Sequence, residues 1–130
     1  MKLLKVFALF VLLHASGWAV AHMWFGSNPE KVLVVVDTSF AMKPQFSKMQ
    51  QWIESFESSS RYTEIVVGTD KAELGALEAI RSKQSIFRTA FGKLSADSLK
   101  KYDSSDADQK ILLSDGSLKP SGWQVIEFEK

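Results

Sequence analysis

Lys31-Val32-Leu33-Val34-Val35-Val36-Asp37-Thr38-Ser39-Phe40-Ala41-Met42 carries the strongest structural signal in this chain. Its uninterrupted aliphatic run passes directly into an acidic, hydroxyl-bearing turn. A strand that is covered by helices on both faces reads as such a continuous, β-branched run. Ligand sites in α/β folds lie just beyond the carboxyl ends of the strands. We therefore expect the functional side chains of the domain at Asp37, Thr38 and Ser39.

A second passage repeats this pattern. Lys110-Ile111-Leu112-Leu113-Ser114-Asp115-Gly116 is again an apolar strand that ends in an acid and a glycine. In a parallel sheet the carboxyl ends of the strands share one edge, so two strand-end acids in one small domain, Asp37 and Asp115, suggest a single shared site.

The remaining elements alternate between strands and helices. A helix is expected after Lys43-Pro44, with an apolar stripe at Phe46, Met49, Ile53 and Phe56. A second strand is expected at Thr63–Gly68, and a last strand, near an edge of the sheet, is expected at Trp123–Phe128. Between them a helix is expected at Ala90–Tyr102. Its buried side would carry Phe91, Leu94, Leu99 and Tyr102. Leu74, Leu77 and Ile80 have helical spacing, but Gly75 leaves an edge strand or an irregular connection equally open. This order predicts an α/β domain with a mostly parallel sheet and helices on both faces.

An apolar leader precedes the domain. Residues 1–25 begin with Lys2 and Lys5 and continue through a largely apolar stretch that is long enough to cross a bilayer. Ala19-Val20-Ala21 matches a signal-peptidase site, so the leader is either a cleaved signal peptide or a retained single-pass anchor. The basic start keeps the amino end inside in both cases. We expect residues 26–31 to form a linker and the domain from residue 32 to lie outside the cytoplasm, membrane-anchored or, after cleavage at Ala21, secreted or periplasmic.

Composition excludes several kinds of chemistry. Without Lys2 and Lys5 the chain has 14 basic and 15 acidic residues, and it has no basic patch of the kind that binds nucleic acid. It has no cysteine, and both histidines, His14 and His22, lie in the leader. Thiolate chemistry, a Ser-His-Asp triad and an imidazole-ligated zinc site are therefore absent from the domain.

The two strand-end motifs, Asp37-Thr38-Ser39-Phe40-Ala41-Met42 and Leu112-Leu113-Ser114-Asp115-Gly116, resemble those of the von Willebrand factor type A (VWA) family. That family has Asp-x-Ser-x-Ser after its first strand, Thr-Asp-Gly after a later strand, and a loop threonine that completes a metal-ion-dependent adhesion site. The resemblance runs from residue 32 to about residue 128 of a domain that is expected at residues 32–130. It implies a small Rossmann-like fold in which the strands that end at Asp37 and Asp115 lie side by side. It also implies binding of Mg²⁺, or Mn²⁺, and of a protein partner whose carboxylate often completes the coordination.

By the same resemblance, the metal ligands are expected to be Asp37, Ser39, Thr89 and Asp115. Oxygen ligands of this kind suit magnesium, which retains several waters. Ala41 replaces the second serine of the motif and removes one oxygen, and the domain is shorter than the family norm, so the metal is expected to bind weakly.

Three functions remain open. The first is a non-enzymatic, membrane-tethered module that binds a protein at the strand-end face. The second is a degenerate VWA-like domain that is kept for its fold and binds no metal. The third is a hydrolase similar to haloacid-dehalogenase-type phosphatases, with Asp37 as nucleophile. That family requires Asp-x-Asp, and Ser39 stands where its general acid would be, so we expect no enzymatic activity.

Overall fold

The computed structural model describes residues 1–88 and 91–128, which form a mixed α/β structure after a long N-terminal helix. The helices are α1 (Lys2–Ser27), α2 (Phe46–Ser59) and α3 (Ala96–Leu99). The strands are β1 (Glu30–Val36), β2 (Thr63–Thr69), β3 (Glu73–Ala76), β4 (Gln109–Ser114) and β5 (Gln124–Glu127). Short 3₁₀ segments lie at Phe40–Gln45, Leu77–Ala79, Lys83–Phe87 and Lys100–Tyr102.

The strands form one mostly parallel sheet in the order β3-β2-β1-β4-β5. Strand β1 is central and pairs in parallel with β2 and with β4, and β5 is parallel to β4 at one edge. Only β3, at the other edge, is antiparallel. The mostly parallel sheet that the alternating pattern predicted is therefore confirmed.

The aliphatic run in β1 supplies both sides of the core. Val32, Val34 and Val36 belong to one buried cluster, and Leu33 and Val35 belong to a second. Neighbouring residues of a strand point to opposite faces, so apolar residues at every position mean that both faces are covered. Full burial of each such side chain contributes about 1.5–3 kcal/mol, which explains why this segment dictates the centre of the sheet.

Helix α2 packs against the first cluster, as its stripe predicted. Met49 and Ile53 are buried, while Phe46, Trp52 and Phe56 are partly buried against the same cluster. The α-helix begins at Phe46, because a 3₁₀ segment with Pro44 inside it occupies Phe40–Gln45.

The helix expected at Ala90–Tyr102 is wrong for residues 91–95, and Ala90 lies outside the described residues. Helical structure begins only at Ala96, where Ser95 forms a capping box with Ser98. Gly92 instead forms a bridge with Ser39, which draws this segment across the strand ends. Phe91, which was expected on a buried face, has 46% of its surface exposed, whereas Leu99 and Tyr102 are buried as expected.

Of the helix, edge strand and irregular connection that were open between residues 73 and 80, the structure has an edge strand at Glu73–Ala76 and then a short 3₁₀ segment at Leu77–Ala79. Strand β3 pairs antiparallel with β2, and Gly75 adopts a positive φ of 110°, which only glycine adopts readily. Leu77 is buried in the first cluster, and Leu74 is exposed.

The leader forms the single helix α1, which is long and apolar enough to cross a membrane and has no buried residue. It extends to Ser27, so only Asn28 and Pro29 separate it from β1. Its end meets the domain at Tyr62, which forms a hydrogen bond with the His22 ring and stacks on Phe25 at 5.6 Å.

Candidate functional site

Three acidic residues follow three adjacent parallel strands. Asp37 follows β1, Asp70 follows β2 and Asp115 follows β4. The backbone ladder continues into this region, since the Asp37 N–H donates to the Leu113 carbonyl at 2.9 Å and the Asp70 N–H donates to the Val36 carbonyl at 3.2 Å. The prediction that Asp37 and Asp115 end neighbouring parallel strands is therefore confirmed.

Asp37 is the central carboxylate of this group and is only 5% exposed. Its Oδ1 accepts a hydrogen bond from the Ser39 N–H at 3.0 Å. Burial raises the pKa of Asp37; hydrogen bonds from Ser39 oppose that rise, and the charges of Asp70 and Asp115 add to it. The ionised form of Asp37 is thus destabilised by its surroundings, and a cation at the strand ends would relieve this cost.

The other two predicted ligands in the described part of the chain lie at the same edge. Ser39 is half-buried and bridges Gly92, whose N–H donates to the Thr38 carbonyl at 3.2 Å. Asp115 is half-buried, and its Oδ1 accepts from the Ser117 N–H at 3.0 Å and from the Ser117 hydroxyl at 2.6 Å. The fourth predicted ligand, Thr89, lies outside the described residues.

The aspartates on β1 and β4 therefore share a local geometry. Each accepts a hydrogen bond from the backbone N–H two residues further on, which is an Asx-turn. Such a turn has a purely structural use, because it stabilises the chain as it leaves the strand. Each aspartate has a second carboxylate oxygen, which a turn of this kind does not require.

Sequence reasoning missed Asp70. This residue is 3% exposed, and its Oδ1 accepts from the Thr38 N–H at 3.3 Å and from the Thr38 hydroxyl at 2.5 Å. Its Oδ2 is buried and has no hydrogen-bond partner among the described residues. A signal was present, since Val66-Val67-Gly68-Thr69-Asp70 is a third apolar strand that ends in a hydroxyl and an acid.

Two side chains of the 3₁₀ segment Lys100–Tyr102 bind the end of β2. The Tyr102 hydroxyl donates to the Thr69 carbonyl at 2.6 Å, and the Lys101 ammonium donates to the Asp70 carbonyl at 3.1 Å. Burial, with the nearby charges of Glu73 and Asp70, raises the pKa of Tyr102 to about 12. Tyr102 therefore stays protonated and remains a hydrogen-bond donor at physiological pH.

The donor set fits a hard cation in its chemistry. Asp37, Ser39 and Asp115 offer oxygen atoms only, and the Oδ2 of Asp70, which has no hydrogen-bond partner in the described part of the chain, is a further buried oxygen. Ala41 is exposed and offers no side-chain oxygen. Within residues 1–88 and 91–128, no three carboxylate or imidazole side chains are grouped closely enough to hold a metal by themselves. A cation held here would therefore depend on hydroxyl groups, water or a partner for part of its coordination.

Comparisons of the chain with family models, with curated proteins and with solved structures found no match.

Proposed function

We propose that this protein is an exported, membrane-anchored interaction module with a shortened VWA-like, Rossmann-like domain. It binds a partner protein at the strand-end face, and a divalent cation, Mg²⁺ or Mn²⁺, contributes to that binding. The proposed protein ligands of the cation are Asp37, Ser39, Thr89 and Asp115. The cation supplies a positive centre that attracts an oxygen ligand from the partner.

The observation that carries this proposal is the state of Asp37. A carboxylate whose pKa is raised by burial, and further by two acidic neighbours, costs stability when it is ionised. Carboxylates with perturbed pKa values cluster at functional sites, and a bound cation would neutralise this cost in the functional state. The parallel pairing of β1 with β2 and β4, with an acid after each strand, adds to the support.

The proposed location follows from α1. Its 26 residues correspond to roughly 39 Å of helix, which exceeds the ~30 Å hydrocarbon core of a bilayer. Lys2 and Lys5 favour retention of the amino end in the cytoplasm, so the domain would lie on the extracytoplasmic side.

A degenerate domain without metal is the competing function, and two observations favour it. Ala41 removes an oxygen ligand, and the Asx-turns at Asp37 and Asp115 give both acids a structural use. A hydrolase is not proposed, because Ser39 stands where a second acid is needed.

Thermal melting of the full chain in detergent micelles, with chelator and then with Mg²⁺ or Mn²⁺, separates the two functions. Binding to the folded state at ten times Kd adds about 1.4 kcal/mol of stability, or roughly 5–10 °C for a domain of about 100 residues. We expect a small shift for the parent, a larger one for Ala41→Ser and none for Asp37→Ala. Asp103→Ala, which removes an exposed acid outside the strand ends, is the matched control and should shift like the parent. Identical melting of every variant with and without metal would establish the degenerate domain.

A further inference from the structure

Two aromatic side chains are exposed beside the strand ends. Phe40 is 68% exposed and Phe91 is 46% exposed, and their rings meet edge to face at 5.1 Å. In the described part of the chain beyond α1, Leu74 is the other large hydrophobic residue that is comparably exposed. Soluble domains rarely leave adjoining aromatic rings in water, because each ring gains from burial, so an exposed pair of this kind marks a contact surface. We call Phe40 and Phe91 the aromatic pair.

The aromatic pair adjoins the candidate cation site. Phe40 directly follows Ser39, and Phe91 directly precedes Gly92, while Ser39 and Gly92 form a bridge. The backbone that joins these two segments therefore places both rings beside the predicted ligand Ser39. A molecule that contacts the strand-end carboxylates would also contact these rings.

The position of the aromatic pair argues against the anchoring membrane as its target. Helix α1 ends at Ser27, close to the first residue of β1, Glu30. The aromatic pair lies beyond the other end of β1, after Val36. The seven residues of β1 span roughly 23 Å. The rings therefore lie a strand length away from the point at which the chain leaves α1.

Two lysines lie beside the aromatic pair. The Lys43 ammonium lies 5.9 Å from the centre of the Phe91 ring, and Lys93, two residues after Phe91, is exposed. The ring centroids of Phe46 and Phe91 lie 6.5 Å apart, and Phe46 also packs against the first core cluster. Phe46 therefore connects the Phe91 ring to the core and holds it in place. A rigid apolar surface beside two lysines complements an apolar side chain that is flanked by acids.

We propose that the aromatic pair is the docking surface for a segment of an extracytoplasmic partner protein in which an aliphatic or aromatic side chain adjoins Asp or Glu. The apolar side chain packs on Phe40 and Phe91, and the carboxylate faces Lys43 and Lys93. This inference rests on the proposed function, because it names the chemistry of the partner at the same face. Its evidence is the exposed rings and the neighbouring lysines, and it does not require the cation.

Selection from a random peptide library tests this proposal. The bait is the full chain in lipid nanodiscs, and peptides that also bind the double variant Phe40→Ser, Phe91→Ser are removed. We expect enrichment of peptides in which an apolar residue adjoins Asp or Glu. Synthetic copies of these peptides should bind the double variant at least tenfold more weakly than the parent. Leu74→Ser is the matched control and should bind like the parent, while Lys43→Glu should weaken binding.

The outcomes separate this proposal from the proposed function. Peptide binding that depends on the rings and persists in chelator supports the docking surface, even if Mg²⁺ does not shift the melting temperature. A metal-dependent melting shift without ring-dependent peptides overturns the docking surface alone. Enrichment of basic peptides, or self-association of the parent that the double variant abolishes, also overturns it, since the occupant would then be a basic segment or a second copy of this chain. Equal melting of the double variant and the parent confirms that the substitutions leave the fold intact.

Discussion

Substitution of Gly92 by alanine tests the link between the strand ends and the segment that crosses them. A Cβ at this position would lie 2.1 Å from Oδ2 and 2.6 Å from Cγ of Asp70. Asp70 cannot rotate away without losing the hydrogen bonds that its Oδ1 accepts from Thr38. If the segment moved instead, the bridge between Gly92 and Ser39 would break. The φ of Gly92 is not in the left-handed region, so the expected penalty is steric.

The expected cost follows from overpacking of a well-ordered site, which is about 1–3 kcal/mol. Each kcal/mol lowers the melting temperature of a domain of about 100 residues by roughly 4–8 °C. Thermal melting of Gly92→Ala in detergent micelles should therefore show a clear loss relative to the parent. Gly26→Ala is the matched control, because nothing lies within 4 Å of a Cβ at that position.

A double-mutant cycle isolates the contact itself. In an Asp70→Ala background the carboxylate is gone, so Gly92→Ala should cost little further stability, and the two substitutions should be non-additive by about 1–3 kcal/mol. Two results would refute this reasoning. One is a Gly92→Ala protein that melts like the parent, and the other is a loss of the same size with and without the Asp70 carboxylate.

Two further predictions concern the charge of Asp37 and the orientation of the chain. The pKa of Asp37 is raised in the folded state above its ordinary value of 3.8, so its ionisation destabilises the metal-free fold, and stability is recovered as the pH falls through the raised value. Asp37→Asn should therefore melt above the parent in chelator at neutral pH, with a gap that closes towards pH 3.8; a gap that is constant with pH would contradict this. A reporter that is active only after export should be active when it is fused after Lys130, and activity of a cytoplasm-only reporter at that point would reverse the proposed orientation. Amino-terminal sequencing then separates a cleaved signal peptide, with a new start at His22, from a retained anchor.

The amino-acid sequence by itself determined the centre of the sheet. The continuous apolar runs in β1 and β4 have no polar face to present to water, so both faces must be covered, and this places the strands inside a mostly parallel sheet. The stripe of α2 was equally readable, because Met49 and Ile53 recur at helical spacing and both are buried. The positions of Asp37 and Asp115 at strand ends followed from these local patterns, whereas their placement on neighbouring strands was expected from the resemblance to the VWA family.

Only the tertiary structure decided the rest of the face. Asp70 lies at the strand-end face because β2 pairs with β1 and because Thr38 donates a hydrogen bond to its carboxylate. Thr38 and Asp70 are 32 residues apart in the chain. The segment that begins at Phe91 has apolar residues near helical spacing, but the bridge from Gly92 to Ser39 holds it across the strand ends and leaves Phe91 exposed. The spacing of apolar residues predicts a helix or strand when the residues of that one element determine which of its sides is buried. These contacts join residues that are distant in the chain, and no local pattern encodes which of them will meet.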